Sequence, residues 1–289
     1  MVVRHVGDGK VVLIAGGGKI YTDVAARFCR SEKDLDSIIG SPYNKKIVEH
    51  IINSGHNAAL EFDWFIFGVE GYSRVTETQL VRKRHASYMI KSGRVEFGGK
   101  RSFDVVLPTD GKINLAFGSV DVDLKDIILS NQKTGEILDL ADYVNSRSKD
   151  PWMARVRLNN MQILEAVEDF YNSAVRVGVK EEDARYYKPQ ATMFRAVIGM
   201  NAAALKDWFR IRTCNRAQTE IRDLATKMMK LCKEAAPDLF VDAGPNCVRL
   251  GLCPESEQCE QCKGKIMTLK EFKEINKKIS IEQLRKLAK

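Results

Sequence analysis

One stretch, residues 215–236, constrains the fold more than any other. Ile221, Leu224, Met228 and Cys232 recur there at helical spacing, and Pro237 stops the run. An apolar stripe of that length on a helix has to be covered by other apolar surface. Leu164, Val167, Tyr171, Ala174 and Val177 mark a second long helix that ends at Gly178. The methionines and Cys232 read as core packing. The covering surface has to come from shorter runs that are not helical. Residues 11–15 form an apolar strand. Residues 60–69 alternate, with Phe62, Trp64 and Ile66 on one face and Glu61, Asp63 and Phe65 on the other. Residues 103–107, stopped by Pro108, and 113–117 read as strands flanking an Asp110-Gly111 turn. Residues 43–54 read as a helix with Gly55 as its stop, and Ser73 as the N-cap of a helix to about Ser87. The polar region 119–149 reads as a surface excursion. Long helices mixed irregularly with short strands, without a repeat, predict an α+β fold.

At 44% hydrophobic and 29% charged, 289 residues are enough for a sizeable core. No uncharged apolar run approaches the ~18 residues of a membrane span. The N-terminus has no apolar leader region, which predicts a chain without a secretory signal. Seven cysteines in such a chain read as reduced thiols and predict a cytoplasmic protein. Six of the eight net positive charges fall in the last 27 residues. That tail reads as an amphipathic helix over 270–287 with a solvated lysine face. Phe272 is its only aromatic, so base stacking has little to work with and nucleic acid is not the expected partner. The organisation predicted is a catalytic domain over 1–240 and a Cys-containing, basic extension over 241–289.

Most catalytic motifs are absent. His5, His50, His56 and His85 are the only histidines, and none forms a His-Glu-x-x-His pair. No Gly-x-Ser-x-Gly elbow occurs. Gly16-Gly17-Gly18-Lys19 imitates a phosphate loop, but a Walker motif needs Gly at Leu13 and Ser or Thr at Ile20. A dinucleotide fingerprint would need Gly at Tyr21, so a glycine turn is the better reading. Cys247, Cys253, Cys259 and Cys262 are separated by five, five and two residues, which matches no standard zinc knuckle. They read as reduced thiols on an irregular tail in preference to a zinc site, and no metal ligand is assigned. What remains is arginine. Gln79, Arg82 and Arg84 fall within one predicted helix, with Gln79 and Arg82 on a shared face. Ser92-Gly93-Arg94 adds a hydroxyl, close backbone approach and a guanidinium; Arg185, Arg210 and Arg212 add charge from distant segments. Any one alone reads as surface arginine, but together they suit a phosphate, which a guanidinium fork binds with paired bonds.

Arg82-Lys83-Arg84 followed by Ser92, eight places after Arg84, resembles the Arg-His-Arg, seven residues, Ser signature of the flavin-dependent thymidylate synthase family. Gly55-His56 with Glu61, the run from Gly178 to Tyr186 with Pro189, and Arg212 to Gln218 followed by Glu220-Ile221-Arg222 resemble further blocks in the same order. The resemblance implies a mostly antiparallel sheet among the helices and an enzyme that methylates dUMP at C5 to give dTMP. FAD is the implied cofactor, with NADPH and methylenetetrahydrofolate as co-substrates and a homotetramer as the implied assembly. It implies Arg212 as the catalytic group. Gln79, Arg82, Ser92, Gly93, Arg94 and Arg185 would bind the nucleotide; His56, Glu61, Arg82, Arg84 and Asn201 would bind the flavin. Some positions depart from the family pattern: Lys83 replaces the signature His, Met89-Ile90 replace Asn-Glu, Ala203 replaces Arg, and Asp207 stands where Asn or His is usual. Weaker FAD binding is therefore expected. The alternatives are a paralogue acting on another uridine nucleotide, to which the loss of a carboxylate at Ile90 points, or a non-catalytic nucleotide-binding subunit.

Overall fold

The stripe Ile221, Leu224, Met228 and Cys232 is wholly buried in the computed structural model. The structure describes residues 3–18, 20–92, 103–107, 118–123, 129–130, 137–138, 153–158, 160–255, 258–260, 262–263 and 265–278. The strands are β1 (Val3–His5), β2 (Lys10–Ala15), β3 (Trp64–Ser73), β4 (Ser87–Ile90), β5 (Val105–Leu107), β6 (Gly118–Asp123), β7 (Leu129–Ser130), β8 (Ile137–Leu138), β9 (Met153–Leu158), β10 (Met193–Asn201), β11 (Leu252–Cys253) and β12 (Met267–Thr268). The α-helices are α1 (Thr22–Arg30), α2 (Leu35–Ile39), α3 (Lys45–Ser54), α4 (Arg74–Leu80), α5 (Asn160–Arg176), α6 (Glu181–Ala184), α7 (Ala202–Arg212), α8 (Thr219–Ala235), α9 (Asn246–Leu250) and α10 (Leu269–Lys278). The chain divides into two compact units, one of residues 93–103 and 108–189 and the other of 2–92, 104–107 and 190–289. The expected α+β class holds.

In the larger unit an antiparallel sheet has the order β2-β3-β10-β4, with Ile198 opposite Phe67 on one side and Tyr88 on the other. Strand alternation sends Phe65, Phe67 and Val69 of β3 and Phe194, Ala196 and Ile198 of β10 to one face. That face joins the buried side chains of α7 and α8 and Phe240 in one core. Phe65 and Phe209 each meet the Phe240 ring edge-on, at 5.1 and 6.2 Å. The glycine turn after β2 is real. Gly17 has φ 79°, and a Cβ there would lie 2.6 Å from the Ala235 carbonyl oxygen, so the turn is pressed onto the end of α8.

Several expected boundaries move. The strand expected over 60–69 begins only at Trp64; residues 57–62 form a 3₁₀ turn, and the buried face starts at Phe65 while Trp64 and Ile66 face outward. Asp63 decides this. It leaves the ladder to accept hydrogen bonds from the Tyr21 and Thr22 N–H groups (2.8 and 2.9 Å) and the Thr22 hydroxyl (2.5 Å), capping α1 from a distance. The helix from Ser73 ends at Leu80, not near Ser87, because residues 87–90 pair with β10 as an edge strand. Gln79, Arg82 and Arg84 therefore do not share a helix. The long helix predicted over 215–236 starts at Thr219, where Gln218 caps it by accepting from the Ile221 N–H (3.0 Å). The strand predicted over 103–107 is confined to Val105–Leu107, and α3 starts at Lys45 behind an Asn44 cap. Residues 113–117 and 279–289 lie outside the described residues.

In the smaller unit β6 pairs antiparallel with β9, and β7 with β8, so the expected surface excursion contains strands. Phe103 stacks edge-on against Tyr171 of α5 at 5.1 Å, its N–H donates to Glu168 (2.7 Å), and the Lys188 ammonium lies over both rings.

Candidate active site

Helix α7 places the central residue. Asn201 caps it by accepting from the Ala204 N–H (2.8 Å), and Leu205, Trp208 and Phe209 bury its inner face. Arg210 and Arg212 are left on its last turn, where the helix dipole favours cations. Arg212 Nη1 donates to Gln79 Oε1 (3.3 Å), on the last turn of α4. Burial and the nearby charge of Arg82 both lower the proton affinity of Arg212. Among the described residues neither Arg82 nor Arg212 has a carboxylate partner. Two guanidiniums held close, one of them part-buried, make a preorganised receptor for an anion.

Arg82, Lys83 and Arg84 lie in the turn between α4 and β4. The Tyr88 hydroxyl sits 2.8 Å from the Leu80 carbonyl and 3.0 Å from that of Lys83, fixing both ends of the turn. Arg82 and Arg84 face solvent. Lys83 turns inward and donates to Asp207 of α7 (2.5 Å), which also accepts from Arg210 (2.8 Å). Two departures from the family pattern are thus each other's partners, and the Lys83 charge is neutralised within the chain. The bridge ties the arginine turn to the helix that carries Arg212. Burial pushes the Asp207 carboxyl up, but the Lys83 bond, with the charges of Lys83 and Arg210, outweighs it and holds it below the ordinary 3.8. A depressed carboxylate stabilises the fold above its unfolded pKa, and that contribution is lost as pH falls through the folded value. A double-mutant cycle of Lys83→Ala and Asp207→Ala should therefore give a coupling of about 1 kcal/mol at neutral pH, since Asp207 is 44% exposed and partly screened. The coupling should persist to about pH 5 and fade below about pH 4. Zero coupling at pH 7 would mean that the bridge holds nothing.

The remaining predicted residues are dispersed. His56 and Glu61 are exposed on the 3₁₀ segment before β3. Ser92 follows β4, whose four residues span about 13 Å, so it lies at the far end of that strand from the arginine turn. Gly93 and Arg94 lie outside the described residues. Arg185 belongs to the smaller unit, where its Nε donates to the Glu182 carbonyl (3.1 Å). Ile90 and Ala203 are half-buried against the core. Position 90 thus carries a packing residue in place of the carboxylate.

Sequence reasoning missed the scaffold carboxylates. Glu220, 3% exposed, accepts from the Ser73 N–H (2.6 Å) and the Ser73 hydroxyl (2.5 Å). It anchors the start of α4, and hence Gln79, to the start of α8. The available signal was a glutamate beside Ile221 at the head of a buried stripe.

The chain is similar to known proteins over most of its length. The profile of the thymidylate synthase complementing protein family matches residues 18–238. The flavin-dependent thymidylate synthase of Geobacter sulfurreducens is 34% identical over 236 residues, 80% of this chain and 84% of the relative. That of Nitratidesulfovibrio vulgaris is 33% identical over 222 residues, 73% of each chain. Among solved structures, a UMP/dUMP methylase from Streptomyces cacaoi bound with 5-Br dUMP superposes with a TM-score of 0.58 at 17% identity, covering 83% of this chain and 96% of that one.

Proposed function

Because this chain belongs to the thymidylate synthase complementing protein family, whose relatives above are flavin-dependent thymidylate synthases, we propose that it methylates dUMP at C5 to give dTMP. It is a methyltransferase-type flavoprotein of dTMP biosynthesis. We assign methylenetetrahydrofolate as the carbon donor and NADPH as the reductant.

The observation that carries this reading is the convergence of Gln79, Arg82 and Arg212. Arg212 stabilises the pyrimidine ionised at N3, which raises electron density at C5 without an enzyme nucleophile. Gln79 orients the guanidinium. The family resemblance assigns the phosphate and sugar to Arg82, Ser92, Gly93, Arg94 and Arg185. The donor set also fits FAD. Arg82 and Arg84 are exposed guanidiniums of one turn, suited to a diphosphate, and His56 and Glu61 complete the flavin side. Asn201 Oδ1 is occupied in capping α7, so its part there falls to the amide nitrogen. When bound, FAD would supply the redox chemistry of the reductive methylation.

The assembly proposed is a homotetramer with shared sites. Two features support it. Ser92 lies at the far end of β4 from the arginines, so a single chain does not gather the whole signature. The sheet face opposite the core also leaves Val12, Ile14, Trp64, Met89 and Val197 exposed, a surface a second copy would cover. A reducing cytoplasm suits the seven cysteines. Among the described residues no helix is long and apolar enough to cross a membrane.

The test offers dUMP and UMP separately, with methylenetetrahydrofolate, NADPH and FAD. Methylation of dUMP is expected, with a flavin spectrum or saturable FAD binding at micromolar levels. Methylation of UMP alone would move the substrate. Binding of dUMP without FAD binding even at millimolar levels would make the chain a non-catalytic nucleotide-binding subunit.

A further inference from the structure

The chain beyond α8 poses a problem of stability. From residue 246 onward, the only buried side chains among the described residues are Cys253 and Cys262, each 4% exposed. Val248, Leu250, Met267, Phe272 and Ile275 all face outward. The segment nevertheless folds into α9, the two-residue strands β11 and β12, and α10. A stretch of under ~40 residues without an apolar core ordinarily needs disulfides, a metal or an oligomer to hold it. No disulfide joins its cysteines.

The thiols converge instead. Cys247, Cys253, Cys259 and Cys262 line one cavity of about 270 Å³, although they are spread over 16 residues of sequence. Cys259 and Cys262 sit on consecutive tight turns: the Cys262 and Lys263 N–H groups donate to the Cys259 carbonyl, and those of Lys265 and Ile266 to the Cys262 carbonyl. A Cys-x-x-Cys pair on such a turn directs both sulfurs to one side, which is the half-site of a tetrathiolate centre. The other wall of the cavity is cationic, formed by Arg210, Arg212 and Arg216. The Nε–H of Arg210 is buried without a hydrogen-bond partner. A divalent ion with four thiolates carries net charge −2 and needs N–H donors aimed at its sulfurs.

We propose that Cys247, Cys253, Cys259 and Cys262 form a structural zinc site that serves as the core of the C-terminal extension. Spacing alone favours plain thiols; the convergence, the missing apolar core and the unpaired Arg210 donor reverse that preference. Among the described residues no three His, Cys, Asp or Glu side chains are already drawn to the mutual distances of a metal shell. Closing the four thiols onto one ion therefore requires their side chains to shift toward one another, and the binding energy would stabilise the segment. Cys214, in the loop after α7, lines the same cavity but belongs to the well-packed body, and it is left out of the ligand set.

Metal content decides this independently of whether the enzyme reading holds. The full chain, purified without added zinc, should carry close to one zinc per chain; under about half an equivalent would end the proposal, since a structural site fills completely. Iron with acid-labile sulfide in place of zinc would overturn the zinc assignment. Cys253→Ser and Cys262→Ser should lose the metal, whereas Cys214→Ser should keep it; loss in Cys214→Ser with retention in Cys253→Ser would refute the ligand set. Cobalt exchange into the wild-type chain provides a second readout that does not depend on the folding of the serine variants. The spectrum expected is that of tetrahedral cobalt with thiolate charge transfer, and an octahedral, oxygen-ligated spectrum would overturn the site.

Discussion

Arg212→Ala should lower kcat by roughly 10²- to 10³-fold or more, the cost of deleting one preorganised charge donor at a developing anion. Its thermal midpoint should stay near the wild-type value. Arg212 ends α7 and is only part-buried, and among the described residues its side-chain hydrogen bond is the 3.3 Å contact with Gln79. Removing it also relieves the repulsion from Arg82, so the fold loses little. Arg212→Lys keeps a charge but not the planar fork, and should recover only part of the activity. If sites are shared between copies, mixing Arg212→Ala with Ser92→Ala chains should restore measurable turnover, because some sites then receive both native residues. No recovery on mixing would mean that each chain builds its site alone. Near-normal turnover in Arg212→Ala would remove that residue from the mechanism.

Glu220→Ala should be the most damaging substitution outside the site. It removes an almost fully buried carboxylate and leaves the Ser73 N–H and hydroxyl without an acceptor. Each stranded donor costs about 1–3 kcal/mol, so a loss of roughly 3–5 kcal/mol is expected, with a fall of about 10 °C in Tm. Glu220→Gln keeps one acceptor oxygen, and the Ser73 hydroxyl can turn to accept from the new amide, so its cost should be less than half as large. Denaturant unfolding of the three proteins measures this. An alanine variant within 1 kcal/mol of wild type would mean that water satisfies Ser73 and that α4 is held by packing alone. In the expected case activity should fall with stability, since Glu220 fixes the helix that carries Gln79.

The parts of the fold legible in sequence are those governed by local periodicity. The stripe of α8, the stops at Gly55 and Gly178 and the glycine turn after β2 follow from helix geometry and backbone freedom, which depend on neighbours along the chain. Boundaries set by distant partners were not legible. Asp63 ended one element because it was recruited to cap α1, and α4 stopped at Leu80 because residues 87–90 found β10 as a ladder partner. The site divides in the same way. The ordered family blocks nominated Arg212, Gln79 and Arg82, residue types suited to an anion, and the fold sets Arg212 against Gln79. Sequence could not reveal that Lys83 and Asp207, two apparent losses, neutralise each other across 124 positions, or that four cysteines of irregular spacing face one cavity. Residue chemistry and local pattern are properties of the linear chain. Which charges meet, and which thiols converge, depends on long-range packing, and only the tertiary structure decides it.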